Sequence, residues 1–285
     1  MSGSLPADFN VEDYLDLNPD VRQAGVDPIQ HYLQHGKNEK RDYHKASKAL
    51  RPQLHQPYEF DGLNSIHNHD FMAQPEFSAA YARGVQASGI DYAWYWRVHI
   101  GLWAARSAVR VKGDFVECGV NFGFLSSAIM KYLDWDATGR TFYLLDTFAG
   151  IDDRYISEQE RASGLIEKSL ECIVSGFYTN NLARVEQNFS EWKNKKIVVG
   201  TVPETLLEIQ SDRIAFLHLD MNNSLPEVAA ISTLWGKMER GGIVLLDDYA
   251  YYGFQLQKEG MDQWASENDV PIASLPTGQG LIIKV

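Results

Sequence analysis

The sequence predicts an α/β fold in which a mostly parallel sheet of buried strands is covered by helices on both faces. From about residue 114 onward, short and fully apolar segments alternate with longer segments of helical period. Strands that are apolar on both faces are typical of parallel sheets, because helices cover both sides of such a sheet. The composition agrees with this class, since 45% hydrophobic and 22% charged residues are ordinary values for a soluble globular domain.

Each predicted element is supported by its own pattern. Apolar and aromatic residues recur at helical spacing over 75–111, with an interruption at Gly89. Buried strands are predicted at 114–119, 141–145, 197–199, 214–219 and 243–246, and a terminal strand pair at 271–275 and 280–285. Helices are predicted at 124–132, 226–238 and 255–267, with Gly241-Gly242 after the end of the second of them. The stretch 148–196 is predicted to be an insertion with helices at 157–174 and 178–190.

Three regions follow from these patterns. Residues 1–50 are polar and are predicted to form a small helical module. Residues 51–74 contain prolines and show no clear period, which is typical of a linker. Residues 75–285 are predicted to be the main domain, which carries the insertion at 148–196.

The charge and the cysteine content exclude several classes of protein. The 26 basic and 38 acidic residues give a net charge of −12, so a nucleic-acid partner is not expected, because phosphate binding needs clustered Lys and Arg. The first residues lack the basic start and apolar core of a signal peptide, and no apolar stretch is long enough for a membrane helix. We therefore predict a cytoplasmic protein without membrane insertion. Cys118 and Cys172 lack CxxC spacing and are predicted to be free thiols.

A glycine turn follows the first predicted strand, in the segment ECGVNFG that runs from Glu117 to Gly123. In open α/β sheets, ligands bind beyond the carboxyl ends of the strands. Gly119 and Gly123 would let the backbone approach a ligand closely, and the next helix offers free N–H groups to an anion. A purely structural tight turn explains the same two glycines equally well. The missing third glycine disfavours a dinucleotide cofactor such as NAD.

Acidic residues end three of the later strands. Asp146 lies at a spacing from the glycine turn that suits a hydrogen bond to a ribose diol, although a helix N-cap is the alternative. Asp220 ends the fourth predicted strand, and Asp247 and Asp248 end the fifth. Carboxylates that converge in one cleft repel one another unless a cation neutralises them, and oxygen ligands suit Mg²⁺, Ca²⁺ or Mn²⁺. Helix capping or exposure to solvent would explain the same acids without a metal.

The segments GDFVECGVNFG, YLLDTF, GTVPETL and GGIVLLDDY together resemble class I S-adenosylmethionine-dependent methyltransferases. More narrowly, they resemble the macrocin O-methyltransferase family, which methylates sugar hydroxyls on antibiotics and glycans, and the resemblance covers about residues 75–285. It implies a Rossmann-like sheet of seven strands whose last pair is antiparallel. It also implies S-adenosylmethionine as the cofactor, bound by residues at the strand ends: Glu117, Gly119, Asn121 and Gly123 at the methionine part, Asp146, Thr147 and Phe148 at the ribose, Thr201 and Val202 at the adenine, and Asp220.

The same resemblance implies that Asp220, Asp247 and Asp248 hold a metal ion, for which we predict Mg²⁺. The family typically continues the fourth strand with a second Asp two residues after the first, and this chain has Asn222 there. Asn cannot accept a proton near neutral pH. The candidate catalytic residues are therefore Asp220 and Asn222, with His218 or His99 as a replacement base. The polar cluster His67-Asn68-His69-Asp70 is a further candidate for the acceptor site.

Residues 10–43 resemble a module that accompanies glycosyltransferases and other bacterial surface-glycan proteins. Its pattern is Tyr-Leu-x-x-Asn-Pro-Asp-Val followed by His-Tyr, with Lys40 at a position where the module has Gly. Pro19 and Pro28 suit first helical turns, and Gly25 and Gly36 suit helix ends. The module favours a bacterial saccharide as acceptor, whereas a structural cap or a dimer contact is the alternative.

Together these observations predict an S-adenosylmethionine-dependent, Mg²⁺-assisted O-methyltransferase that acts on a sugar hydroxyl of a bacterial glycan or glycosylated metabolite. Two alternatives stay open because of Asn222. The first is an N-methyltransferase, since an amine acceptor needs no base. The second is a non-catalytic, cofactor-binding protein that docks to a partner in glycan assembly. The sequence leaves the oligomeric state open, including a homo-oligomer.

Overall fold

The computed structural model describes residues 5–6, 9–43 and 57–285. The chain divides into two compact units, of which the first comprises Met1–Tyr58 and Ser65–Asn68 and the second Glu59–Asn64 and His69–Val285. Parts of the predicted module 1–50 and of the predicted linker 51–74 lie outside the described residues.

The first unit is helical, as the sequence predicts for this region. Its helices are α1 (Val11–Leu17), α2 (Pro19–Ala24) and α3 (Pro28–His31), and a π-helical turn at Tyr32–Gly36 follows. Pro19 and Pro28 occupy first-turn positions, and Gly25 ends α2 in the left-handed region with φ of 63°. Tyr14, Val21 and Tyr32 form a small buried core. The relation of this unit to the surface-glycan module stays a prediction.

Nine strands are present among the described residues. They are β1 (Tyr58–Phe60), β2 (Leu63–Ser65), β3 (Asp114–Cys118), β4 (Phe142–Asp146), β5 (Lys195–Val199), β6 (Ile214–Leu219), β7 (Met238–Leu246), β8 (Ala273–Ser274) and β9 (Gly280–Ile283). β1 and β2 pair as a hairpin, and the other seven form one sheet in the order β5-β4-β3-β6-β7-β9-β8. The strands β3 to β7 pair in parallel, whereas β9 is antiparallel to both β7 and β8. The predicted seven-stranded sheet with an antiparallel last pair is therefore confirmed.

The sheet is covered on both faces, because successive strand residues point to opposite sides. Phe115 packs into one core with α4 (Pro75–Ser88), α5 (Tyr95–Ala108) and α6 (Phe124–Tyr132). Val116 packs into a second core with α10 (Ser224–Leu234) and α11 (Gln255–Asn268). The helix predicted at 124–132 is confirmed to the residue.

The position predicted for the C-terminal end of the helix at 226–238 is wrong. The α-helix ends at Leu234, and β7 already begins at Met238, so that Gly241 and Gly242 lie inside the strand. Gly241 has φ of 83°, and the register between β6 and β7 shifts between Ile214 and Phe216. The two glycines therefore form an irregularity in the strand rather than a helix end, a role that Gly also commonly has.

The insertion contains three short helices rather than two longer ones. They are α7 (Glu158–Ala162), α8 (Leu165–Ser175) and α9 (Leu182–Asn188). Gly164 adopts φ of 78° and separates α7 from α8, which breaks the single helix predicted at 157–174. The predicted linker also contains structure, since 57–74 include the β1–β2 hairpin and a 3₁₀ turn at Asp70–Ala73. Over the described ranges, no helix is long and apolar enough to cross a membrane.

Candidate active site

A large cavity of about 1230 Å³ lies in the second unit, where the carboxyl ends of the parallel strands meet. The glycine turn after β3, the ends of β4, β6 and β7, and the insertion all contribute to its lining. Parallel sheets place ligand sites at this edge, because the loops after neighbouring strands converge there. The sequence-predicted strand ends therefore meet around one space.

The glycine turn is shaped by contacts within the protein. Gly119 has φ of 91°, and a β-carbon there would collide with the backbone of Asp220 at the end of β6. Gly123 has φ of 83°, and a β-carbon there would collide with the ring of Phe189. Gly119 lines the cavity and Gly123 is not among its lining residues. The structural explanation of the two glycines is thus supported at both positions, and Gly119 in addition faces the ligand space.

Asp146 holds the glycine turn in place. One carboxylate oxygen accepts hydrogen bonds from the backbone N–H groups of Val120 and Asn121, both at 2.7 Å. The other oxygen accepts from the backbone N–H of Phe148 at 2.7 Å. Asp146 lines the cavity, and a carboxylate has about four acceptor sites, so acceptor capacity remains for a ligand hydroxyl.

The other predicted cofactor residues differ in what they face. Glu117, Thr147, Thr201 and Val202 line the cavity. The side chain of Phe148 is instead buried in the core that includes α4 to α6. This position corrects the prediction that Phe148 lies beside the ribose. Its φ of 47° explains the difference, because the backbone reverses there and turns the ring into the protein.

Several side-chain hydrogen bonds join the insertion to the rim of the cavity. Asn121 donates to the carbonyl of Phe177 and accepts from the backbone N–H of Thr179, at 2.8 and 2.9 Å. Glu160 accepts from the backbone N–H of Ser224 at the start of α10, at 2.6 Å. Another contact joins Thr201 to Asp152. The amide of Asn121 therefore holds the insertion. Asn121 also lines the cavity, and its contact with the cofactor stays a prediction.

Three carboxylates converge at the ends of β6 and β7, as the sequence predicts. One oxygen from each of Asp220, Asp247 and Asp248 lies within 4.8 Å of the others. Burial, followed by the charges of Asp247 and Asp248, raises the pKa of Asp220 well above its usual value. Burial and then Asp247 also raise the pKa of Asp248 to about 6. This donor set fits a divalent cation, since its charge would relieve the repulsion among the buried acids.

Arg97 of α5 is a further member of this site that the sequence analysis missed. Its Nη1 bonds to Asp247, its Nη2 lies 2.8 Å from Asp248, and its Nε lies 3.0 Å from Asp61. The guanidinium carbon lies 4.4 Å from the ring centre of Tyr251. An Arg on a helix that is otherwise mostly apolar and aromatic was the available signal. Its partners are distant in sequence and could not be identified from spacing.

His218 is a buried partner of acids rather than a base. Its Nδ1 lies 2.9 Å from Glu117 and its Nε2 lies 3.7 Å from Asp247. Burial lowers its pKa, but the interactions with Asp247 and Glu117 outweigh burial and raise the pKa to about 10. Both ring nitrogens therefore face acids, and the raised pKa favours the protonated form, which cannot accept a proton. This corrects its assignment as a candidate base.

His99, and the part of the His67–Asp70 cluster that belongs to the second unit, lie outside the lining of the cavity. His99 stacks on Phe71 with ring centres 4.0 Å apart, and neither His99 nor His69 nor Asp70 is among the lining residues. Burial lowers the pKa of His99, as expected in an aromatic core. His67 belongs to the first unit. The hypothesis that His99 is catalytic is thus corrected by its position on the core side of α5.

Asn222 lines the cavity beside Asp220. It has φ of 59°, and its Nδ2 lies 3.3 Å from a carboxylate oxygen of Asp220. The amide therefore donates to the carboxylate, where an acid would repel it. Tyr178 of the insertion also lines the cavity. Burial and then the charge of Asp220 raise the pKa of its hydroxyl. Tyr178 is a second lining residue that the sequence analysis missed.

A buried acid–amide pair supports the loop after β6. One oxygen of Glu227 accepts from the backbone N–H of Met221 at 3.0 Å and from Nε2 of Gln257 at 2.7 Å. Burial raises the pKa of Glu227 to about 8. Within the described part of the chain, the buried Oε1 of Gln257 has no hydrogen-bond partner.

We expect the stability of the protein to fall as pH rises from about 4.5 to about 8 because of Glu227. In this window the unfolded chain releases the proton that the folded chain keeps, since the folded pKa is about 8 and the ordinary value is 4.5. Glu227→Gln removes this loss. The difference in melting temperature between the variant and wild type should therefore grow as pH rises through the window and then stay constant above it. Thermal unfolding between pH 5 and 9 measures this difference, and Glu259→Gln on the exposed face of α11 is the control. A constant difference between Glu227→Gln and wild type would contradict the assignment.

Comparison with known proteins identifies relatives of the second unit. The model of the family described as Macrocin-O-methyltransferase (TylF) matches residues 104–272. The solved structure of the O-methyltransferase NovP is 21% identical, covers 66% of this chain and 79% of that chain, and superposes with a TM-score of 0.57. The structure of the calicheamicin methyltransferase CalS11 is 16% identical, covers 81% of this chain and 99% of that chain, and has a TM-score of 0.46. Curated proteins yield no match. The likeness to NovP shows a shared fold.

Proposed function

This chain belongs to the macrocin O-methyltransferase family, and from that membership we propose that it methylates a hydroxyl of a saccharide acceptor with the help of Mg²⁺. Membership makes the chain an S-adenosylmethionine-dependent O-methyltransferase, since the matched residues 104–272 include the glycine turn and all three acids of the cluster. The acceptor class, the cation and the roles of individual residues are what we propose. The acidic cluster beside the glycine turn is the observation that carries the proposal.

The cavity residues fit S-adenosylmethionine by their chemistry. Among the residues that the structure describes, the buried Oε2 of Glu117 has no hydrogen-bond partner. The ammonium group of the methionine part would satisfy this acceptor, because a buried polar atom without a partner is costly. Asp146 would accept from a ribose hydroxyl with its one remaining acceptor site. Thr201 and Val202 would lie against the adenine.

The acidic cluster fits a divalent cation for the reasons of charge given above. Asp220 and Asp248 would be its main ligands, since both carboxylate oxygens of Asp247 are already engaged, one by Arg97 and one by Gln279 at 3.0 Å. Asp248 bonds to Arg97 through one oxygen only. When bound, the cofactor supplies an electrophilic methyl group, and the cation supplies positive charge that lowers the pKa of the acceptor hydroxyl.

The residues of the chain would then act by position and by charge. The carboxylates of Asp220 and Asp248 orient the acceptor side, and the insertion limits the access of water to the cavity. Asn222 cannot accept a proton, and the raised pKa of His218 disfavours this residue as an acceptor. The proton of the acceptor hydroxyl therefore leaves toward the carboxylates of the cluster. Positioning two reactants in this way can supply about 7–11 kcal/mol of the barrier reduction.

Asn222 also favours a second candidate, in which the acceptor is an amine and no base is needed. Calorimetric titration of S-adenosylmethionine and S-adenosylhomocysteine, with and without Mg²⁺, tests cofactor binding first. Turnover with nucleotide sugars, glycans and amines then identifies the acceptor class. Turnover of a sugar that chelator abolishes supports the proposal. Turnover of amines alone, or cofactor binding without any turnover, would favour N-methylation or a non-catalytic docking role instead.

We expect Asp146→Asn to weaken S-adenosylmethionine binding by about tenfold while the protein stays folded. An amide nitrogen cannot accept from the N–H groups of Val120, Asn121 and Phe148, so at least one of these bonds is lost, together with the charge that faces the ribose. Calorimetric affinities of wild type and variant measure the effect. Asp136→Asn is the matched control, because Asp136 also accepts from backbone N–H groups, at Lys193 and Asn194, and does not line the cavity. Equal loss in both variants would contradict a role of Asp146 in cofactor binding.

The first unit would guide the enzyme to its acceptor or to a partner in glycan assembly, as its resemblance to the surface-glycan module suggests. This role and a homo-oligomer both remain proposals. Removal of the first unit is informative here, since loss of turnover on a glycan with unchanged cofactor affinity would support acceptor or partner recruitment.

A further inference from the structure

The turn of the β1–β2 hairpin belongs to the second unit and carries a buried acid, Asp61. Asp61 has φ of 52°, and its side chain is 6% exposed. One carboxylate oxygen accepts from the hydroxyl of Tyr251 at 3.0 Å, and the other lies 3.0 Å from Nε of Arg97. A buried Asp in a two-residue turn needs specific partners to offset the loss of its hydration. Asp61 has two such partners, and both belong to the active-site region.

Arg97 divides its positive charge among three acids. Its two Nη atoms bond to Asp247 and Asp248, and its Nε faces Asp61. The side chain of Arg97 is 7% exposed, so solvent screens these interactions little. Asp247 and Asp248 belong to the acidic cluster, whereas Asp61 does not. Among the described acids that pair with Arg97, Asp61 alone lies outside the acidic cluster, so its charge is not also offered to a cation.

This arrangement has a consequence for the affinity of the cluster. Without Asp61, the charge of Arg97 would act on Asp247 and Asp248 alone and would oppose a divalent cation. With Asp61, one negative charge offsets Arg97 from the opposite side, so that the cluster keeps more of its own negative charge.

We propose that Asp61 is a positioning residue that sets the divalent-cation affinity of the Asp220–Asp247–Asp248 cluster through Arg97. This inference rests on the proposed cation of the proposed function. It gives the hairpin turn a role in balancing the charge of Arg97, which the acids at the strand ends do not have. A unit charge removed within about 10 Å of a divalent ion, at an effective dielectric constant of roughly 40, changes the affinity by at least about tenfold.

The test is the affinity for Mn²⁺ alone, measured by electron paramagnetic resonance of free and bound Mn²⁺. In Asp61→Asn we expect the Mn²⁺ affinity to fall by at least about tenfold, because the charge is lost while an oxygen remains for Tyr251. Asp61→Glu keeps the charge and should stay within about threefold of wild type. Asp262→Asn is the matched control, since Asp262 also accepts from a Tyr hydroxyl, that of Tyr249, but pairs with Lys258. It should leave the affinity unchanged.

Each outcome decides the inference. A merely structural role of Asp61 would lower the melting temperature and leave Mn²⁺ binding unchanged, and that result would overturn the proposal. An equal loss in Asp61→Asn and Asp61→Glu would also overturn it, because geometry rather than charge would then be the cause. A wild type that binds no Mn²⁺ would remove the proposed cation as well as this inference. Normal wild-type binding with no change in Asp61→Asn would remove the inference alone. S-adenosylmethionine affinity, expected to be equal in all variants, verifies that the cavity is intact.

Discussion

Replacing Asp220 by Asn is expected to abolish most methyl transfer and at the same time to stabilise the fold. Asp220 is half-buried beside Asp247 and Asp248, and desolvation followed by the charges of these two acids raises its pKa. Asn has nearly the same shape but no charge, so the repulsion disappears together with the ligand for the cation. We expect turnover to fall by at least about a hundredfold, since a catalytic metal contributes several kcal/mol. The melting temperature should rise by roughly 2–4 °C, the shift that about 1 kcal/mol produces in a protein of this size.

The reciprocal change provides the control for this prediction. Asn222→Asp places a fourth carboxylate next to Asp220, where the amide nitrogen now lies 3.3 Å from its oxygen. We expect this variant to melt at a lower temperature without Mg²⁺, to regain stability when Mg²⁺ is added, and to keep its cofactor affinity. Thermal unfolding with and without Mg²⁺, together with turnover, measures both variants. Full turnover in Asp220→Asn, or a lower melting temperature, would contradict the role given to this residue.

Arg97→Met is expected to cause the largest loss of stability. The substitution removes the cation from three buried acids, and breaking a buried ion pair by removing one partner typically costs about 3–5 kcal/mol. The methylene part of the side chain is retained, so the packing of α5 changes little. Unfolding in urea measures the effect. Arg213→Met is the control, since Arg213 is 59% exposed and pairs with Glu239 at 3.3 Å, and such surface pairs contribute about 0–1 kcal/mol.

The same variant should respond to divalent cations more strongly than wild type. Without Arg97, the acids have no built-in counter-charge, and a bound cation stabilises the folded state in proportion to its affinity. We therefore expect millimolar Mg²⁺ to restore part of the lost stability. A variant that is as stable as wild type without Mg²⁺ would mean that the acids are neutral and that Arg97 compensates no charge.

The sequence predicted the sheet well because each strand is marked locally. β6 is a run of apolar residues that ends at an acid, and the predicted bounds Ile214–Leu219 are those of the structure. The convergence of Asp220 with Asp247 and Asp248 was also predictable, since parallel topology brings neighbouring strand ends together. Both predictions depend only on short local sequence patterns and on the rule that neighbouring parallel strands end at the same edge of a sheet.

The contacts that the sequence did not predict connect distant segments. Arg97 and Asp248 are 151 positions apart, and no period or spacing relates them. Asp61 lies in a stretch whose prolines and lack of period indicated a linker. Its inward direction follows from the hairpin turn and from burial against Arg97. The end of α10 was misplaced for a different reason, because Gly241-Gly242 is as compatible with a strand irregularity as with a helix end.

The fastening of the insertion has a consequence for protein engineering. Asn121 and Ser224 lie at the carboxyl edge of the sheet, whereas Phe177, Thr179 and Glu160 belong to the insertion. The insertion, which covers the cavity, is therefore joined to the sheet edge by a few side-chain hydrogen bonds that can be changed by mutation. A chimeric enzyme that exchanges this cover for one with another acceptor preference has to reproduce those bonds at both ends. Exchanges that keep only the chain length would leave the cover unattached and the cavity open to water.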